Sequence, residues 1–167
     1  MHHRSTVRVL AIAMCMLLIQ GCAYYSTSGG LPSHIKTVGV EFFENSTVET
    51  GLDEYITRAL ADILVSESQV RYVPPRVADA VVRGTIVRFV DEPLTHAAGQ
   101  ASSFQIEVSV DAEVWDRVGR RTLWKRSALR GQASYNPSGG LTSRQEAFAK
   151  AFRVVAREIV DGMRSGW

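Results

Sequence analysis

The stretch Phe104-Gln105-Ile106-Glu107-Val108-Ser109-Val110-Asp111-Ala112-Glu113-Val114-Trp115 alternates apolar and polar residues without a break. A period of two marks a strand, whose successive side chains point to opposite faces. Phe104, Ile106, Val108, Val110, Ala112 and Val114 therefore form a buried face, while Gln105, Glu107, Ser109, Asp111 and Glu113 form a wet one. A sheet with one dry face needs a second layer to cover it, and the flanking sequence should supply that layer.

Downstream, Asp116 to Arg120 turns the chain, with Gly119 the expected positive-φ residue, and Arg121 to Tyr135 returns as the partner strand. Asn136 to Gly140 is a loop, and Thr142 with Gln145 reads as a capping box for a last helix. Phe148, Phe152, Val155, Ile159 and Met163 are its buried stripe, and Glu146 with Lys150 an i,i+4 pair outside. Upstream, Asp91 to Ser102, containing Pro93 and Gly99, reads as a long polar connection. Before it, Ala78 to Val90 is a strand whose apolar residues change face around Arg83 to Val87, so a bulge is expected near Gly84. Val70 to Val73 is a short strand stopped by Pro74-Pro75.

Nearer the start, Ile35 to Asn45 reads as a strand with Val38, Val40 and Phe42 on one face. Phe43 falls on the other, so this strand is either covered on both sides or ends there. Thr50 can cap a helix whose stripe is Leu52, Ile56, Ala59, Leu60, Ile63 and Leu64, with Tyr55 at its edge. Strand, helix, several strands and helix, in that order, indicate an α+β fold. The expectation is a two-layer sandwich, two helices packed on one face of a mixed, largely antiparallel sheet of about four strands.

The N-terminus sets the compartment. Arg4 and Arg8 precede an unbroken apolar run from Val9 to Ile19, about half the ~20 residues of a membrane-spanning helix. Leu18-Ile19-Gln20-Gly21-Cys22 resembles a bacterial lipobox, where a peptidase cuts before the cysteine and its thiol carries a diacylglycerol. An ordinary secretory signal with a chance Gly-Cys, or a short membrane anchor, is the alternative. The lipobox divides the chain into a signal peptide at 1–21, a flexible tether at 22–32 after lipidated Cys22, and a single α+β domain at 33–167. Ala23 stands where a retention signal for the inner membrane would put Asp, so the expected place is the outer membrane, periplasmic side.

Without Arg4 and Arg8 the 19 Lys+Arg fall to the same 17 as Asp+Glu, so the +2 charge belongs to the signal and implies no nucleic-acid partner. Cys15 leaves with the signal and Cys22 is acylated, so no disulfide remains. His34 and His96 each stand alone in loops, and no metal-ligand spacing, nucleophile elbow or phosphate-binding loop occurs. The expectation is a protein that is not an enzyme, with no cofactor beyond the covalent diacylglycerol and N-acyl chain on Cys22.

Several stretches in order resemble the LPS-assembly lipoprotein LptE family. These are Gly21-Cys22-Ala23-Tyr24-Tyr25, Leu31-Pro32-Ser33-His34-Ile35-Lys36-Thr37-Val38, Phe43-Glu44-Asn45-Ser46-Thr47, Gly51-Leu52, Ala78-Asp79-Ala80 through Gly84, Val114-Trp115-Asp116-Arg117 and Leu123-Trp124. The resemblance implies an outer-membrane lipoprotein that plugs and helps assemble an LptD-like outer-membrane β-barrel and assists delivery of lipopolysaccharide to the outer leaflet. Ala-Asp-Ala-x-x-x-Gly before a strand is also similar to outer-membrane lipoproteins that activate a peptidoglycan synthase, which keeps that class as the alternative. A free-standing lipid carrier is disfavoured, because no long apolar run suggests a greasy cavity. Family members can carry a basic residue in the loop before the long strand; His96 to Gln100 has no Lys or Arg, and no ligand contact is carried to that tip.

Charge is segregated along the chain. Between Glu41 and Glu67 lie seven acids and one base, Arg58; between Arg117 and Arg130 lie six bases and no acid. Arg117, Arg120, Arg121, Lys125, Arg126 and Arg130 are thus the candidate contacts with lipopolysaccharide or the barrel. The competing expectation is a solvated hairpin whose bases pair with Glu107, Asp111 and Glu113 across the strands.

Overall fold

The structure, a computed structural model, describes residues 31–67, 69–97 and 100–165. Strands β1 (Thr37–Val40) and β2 (Glu44–Asn45) lead to helix α1 (Leu52–Glu67) and strand β3 (Arg71–Tyr72). The long strands β4 (Ala80–Ala97), β5 (Gln100–Asp116) and β6 (Arg121–Tyr135) follow, and helix α2 (Gly140–Ser165) ends the domain. The sheet runs β3-β1-β4-β5-β6, with β2 also on β4. β4, β5 and β6 pair antiparallel, whereas β1 with β3, β1 with β4 and β2 with β4 are parallel.

Two helices cover one face, as the stripes predict. Leu52, Ile56, Leu60, Ile63 and Leu64 of α1 and Phe148, Phe152, Val155, Ile159 and Met163 of α2 are all buried in one cluster with Ile106, Val108, Val110, Ala112 and Val114 of β5. Tyr55 stacks on Phe152 at 6.3 Å between ring centroids and joins the two helices. At Gly131 of β6 the helix lies directly on the strand: a Cβ there would collide with the Ala151 carbonyl oxygen. Only glycine lets a helix backbone come this close.

The sheet has six strands rather than about four. The single strand expected over 35–45 is broken, with three residues, Glu41 to Phe43, set against two on β4, Arg83 and Gly84. The extra residue reverses the alternation, so Phe42 is 82% exposed and Phe43 enters the core. Gly84 makes room for it, since a Cβ there would sit 2.7 Å from the Phe43 ring. The bulge expected near Gly84 lies at Val87, where the register with β5 shifts and Phe89 turns inward onto Phe148. The other face of β1 is covered too: a Cβ on Gly39 would meet Pro75 Cα at 2.6 Å, in the 3-10 turn Pro75–Val77.

The polar connection expected over 91–102 is strand instead. β4 and β5 stay paired through Pro93↔Phe104 to Ala97↔Gln100, while β6 ends opposite Phe104 at Tyr135. Among the described residues no third strand pairs with this ribbon, Glu92, Pro93 and Leu94 are exposed, and the sequence here shows no apolar alternation. At the opposite turn the positive φ belongs to Arg120 (51°), not Gly119. α2 starts at Gly140, which puts Thr142 within its first turn instead of at the cap.

Candidate functional site

The starts of β1, β3, β4 and β6 and the end of β5 meet at one end of the sheet, and the chain enters the domain there. Two carboxylates organise this end. Asp79, before β4, accepts hydrogen bonds from the Lys36 and Thr37 backbone N–H groups, each 2.9 Å, and from the Thr37 hydroxyl at 2.8 Å. The same hydroxyl accepts from the Asp79 N–H, so β1 and β4 are stitched together at their first residues. The Lys36 N–H and then the Thr37 hydroxyl hold the Asp79 carboxyl below its ordinary range, against its partial burial.

Asp116, at the end of β5, is fully buried. It accepts from the Val118 and Gly119 N–H groups at 2.9 and 2.7 Å and meets His34 Nε2 at 2.8 Å. Burial alone would raise its pKa, but the Gly119 N–H, the His34 ring and the Val118 N–H together hold it below the usual carboxylate value. A buried ionised carboxylate is tolerable only with such a set of donors. Sequence reading left Asp79 and Asp116 without a role. Asp116 did carry a signal, as an acid on the inward phase of the strand.

The six candidate cations are divided among four different tasks. Arg117 is structural: its guanidinium donates to the Pro75 and Arg76 carbonyls at 2.6 and 2.8 Å, and its N–H to the Asp79 carbonyl at 2.9 Å. Arg121 faces Asp116 at 3.9 Å. Arg126, opposite Ala112, points to the helix side and pairs with Glu158 of α2 at 2.7 Å. Arg120, Lys125 and Arg130 are exposed and form no ion pair among the described residues. The cross-strand alternative fails as well. Glu107 accepts from Gln132 at 2.8 Å, Asp111 from the Ala128 N–H at 2.8 Å, and Glu113 is paired with Arg83 of β4.

Segregation along the chain also fails to become segregation in space. Glu41, Phe42 and Glu44 line an open groove of about 460 Å³ on the helix-free face together with Arg83, Asp111, Glu113 and Lys125. A further polar cluster, unseen in the sequence, joins α2 to the rest. Arg144 donates to Asp91 at 2.8 Å and to Glu49 at 3.1 and 3.3 Å, and lies over the Phe148 ring at 4.7 Å. The Glu49 bond holds the guanidinium above its already high pKa, against its burial. Tyr135 donates to the same Asp91 at 3.1 Å; burial and then Asp91 raise its phenol above the ordinary 10.

Cys22 and the tether lie outside the described residues except for Leu31 and Pro32, as does the His96 side chain. Among the described residues no group of three or more His, Cys, Asp or Glu could hold a metal ion, and no helix is long and apolar enough to cross a membrane.

Comparison with known proteins now bears on this geometry. The family profile LptE, described as lipopolysaccharide-assembly, matches residues 35–163, from the start of β1 to the last turn of α2. No curated protein matches the chain. Among solved structures, a Caulobacter crescentus protein described as a lipoprotein superposes with a TM-score of 0.51 at 18% identity, covering 73% of this chain and 87% of that one. The uncharacterized lipoprotein B of Nitrosomonas europaea gives 0.52 at 14% identity, covering 86% and 90%. A hypothetical protein of Chlamydia trachomatis gives 0.53 at 13%, covering 78% and 96%. These three likenesses concern the fold.

Proposed function

Because the chain belongs to the LptE lipopolysaccharide-assembly family, we propose that it is an outer-membrane lipoprotein, anchored through Cys22 on the periplasmic side, that plugs and helps assemble an LptD-like β-barrel. In this role it assists lipopolysaccharide delivery to the outer leaflet without itself catalysing a reaction. The observation that carries the reading is the extent of the family match, which takes in both helices and the whole sheet. The lipobox ending at Gly21-Cys22 supports the anchor, and three acyl groups on one residue would hold it firmly. The helix-free face of the sheet carries Lys125 and Arg130, which like Arg120 form no ion pair among the described residues and are available to acidic barrel loops or to lipopolysaccharide phosphates.

Purification of the full chain from membranes in mild detergent tests this. A barrel-sized outer-membrane protein recovered with it is the expected result. Recovery of a peptidoglycan synthase in its place would assign the chain to the activator class and overturn the barrel reading.

A further inference from the structure

The extra residue between β1 and β2 does more than bury Phe43. It turns Phe42 outward onto the helix-free face, the one aromatic among the described residues that is exposed. Such an insertion interrupts a ladder, and bulges of this kind re-aim a side chain beside a working surface. Phe42 forms one lip of the open groove on that face, with Glu41 and Glu44 beside it and Lys125 among the other lining residues. Asp111 and Glu113 of β5 and Arg83 of β4 lie in the same groove, which therefore holds four carboxylates against two cations. Local pairing leaves most of that negative charge unanswered. Arg83 is committed to Glu113 and lies over the Trp115 ring at 5.1 Å. Asp111 accepts the Ala128 N–H but meets no cation, and the Glu41 and Glu44 carboxylates have no partner among the described residues.

We infer that Phe42 and this groove form a docking surface for a basic segment of a protein partner, its lysine or arginine lying between the Phe42 ring and the free carboxylates. The partner's identity rests on the barrel reading proposed above, in which the segment belongs to the inner wall of the barrel. A domain held in a lumen has that wall within reach of its outward faces, this one included. The chemistry of the groove selects the occupant. A cation over an aromatic ring and beside carboxylates gains from the ring quadrupole and from charge together, and gains more as docking excludes water. Among the described residues these acids do not group closely enough to hold a metal ion, so the groove suits a cation carried on a side chain. Its excess of carboxylates repels the phosphates of lipopolysaccharide, and its charged lining is unsuited to acyl chains.

The test replaces Phe42 by the photo-crosslinker benzoylphenylalanine in the full chain, in cells, where ultraviolet light joins it to what lies against it. We expect a dominant protein adduct, mapped by mass spectrometry to a segment with lysine or arginine beside the joined residue. Glu41→Lys/Glu44→Lys in the same chain should lower the adduct yield about tenfold or more with the melting curve unchanged. Should that variant unfold, raised salt applied to the unaltered groove in a mild detergent extract supplies the same comparison, the yield falling as salt rises. A joined segment with no basic residue, an adduct with lipopolysaccharide alone, or no adduct overturns the inference. So does a yield that neither charge reversal nor salt reduces. The chain that carries the segment reports separately on the barrel reading. A basic segment of a peptidoglycan synthase would keep the docking surface and overturn the barrel. A barrel recovered with the chain but joined through a neutral segment would keep the barrel and overturn the docking surface.

Discussion

His34 and Asp116 stand 82 residues apart in the chain and 2.8 Å apart in the fold, ring nitrogen to carboxylate oxygen. The contact ties the turn that precedes β1 to the hairpin between β5 and β6. Asp116 is ionised by virtue of its donors, and its folded pKa lies below the unfolded value near 3.9. Its stabilisation is therefore present above that value and lost as pH falls through the folded pKa. Asp79 is depressed too, and adds to the same acid loss. Asp116→Asn should lower stability by about 1–3 kcal/mol at neutral pH. The gap to the wild type should close below about pH 4, as followed by thermal melts across pH. A gap that persists unchanged at pH 3 would mean the carboxylate charge contributes nothing.

Arg144 serves Asp91 and Glu49 at once. Arg144→Met keeps an unbranched apolar stem but leaves two partly buried carboxylates without a cation, and should destabilise by about 2–4 kcal/mol. Tyr135 offers a second readout. Its phenol should ionise above the ordinary value in an ultraviolet titration, and Tyr135→Phe should remove that step. Because the folded pKa is the higher, this contribution is intact below pH 10 and is lost as pH rises through the folded value.

Val108 is fully buried in the centre of β5. Val108→Asp would place a lone carboxylate among the apolar residues of both helices, at a cost of several kcal/mol. That is comparable with the whole stability of a domain this size, so the full chain carrying it should not fold. A native-like melting curve would show that the wrong face has been assigned to the core.

Cys22→Ala should abolish acylation and shift the chain from the outer-membrane fraction to a soluble or unprocessed periplasmic form. Retention of the variant in the outer membrane would mean that contacts with a partner, and not lipid, hold it there.

Among the hairpin cations, Arg120, Lys125 and Arg130 are the three not used by the fold. Changing all three to Glu should weaken lipopolysaccharide binding by about tenfold or more without altering the melting temperature. Wild-type binding should also weaken as salt rises. Unchanged affinity would leave these residues to the barrel or to solvent.

The sequence showed most where one physical demand acted on many residues. Both helical stripes and the inward face of β5 came through intact because burial selects every second, third or fourth residue in turn. It showed least where a single residue changed the phase. Nothing local told that Glu41 to Phe43 would set three residues against two, so Phe42, read on the face of Val38 and Val40, is exposed instead. The ribbon beyond Pro93 was hidden because its sequence has no apolar alternation to read. At the candidate site the excess of base from Arg117 to Arg130 was visible, but its fate was not. Arg117 is taken by carbonyls of a turn some 40 residues earlier and Arg126 by a helix about 30 residues later. Such distant partners leave no trace in spacing.

β4 runs from Ala80, beside the incoming chain, to Ala97, at the far end of the ribbon. At a strand's rise its 18 residues measure about 55 Å along the axis. The apolar layer of a bilayer is only about 30 Å thick, and about 40–45 Å with its headgroups. Moored and enclosed as proposed above, a molecule of that reach would be long enough to act as a gauge of membrane depth. Its two extremities would look out on opposite sides.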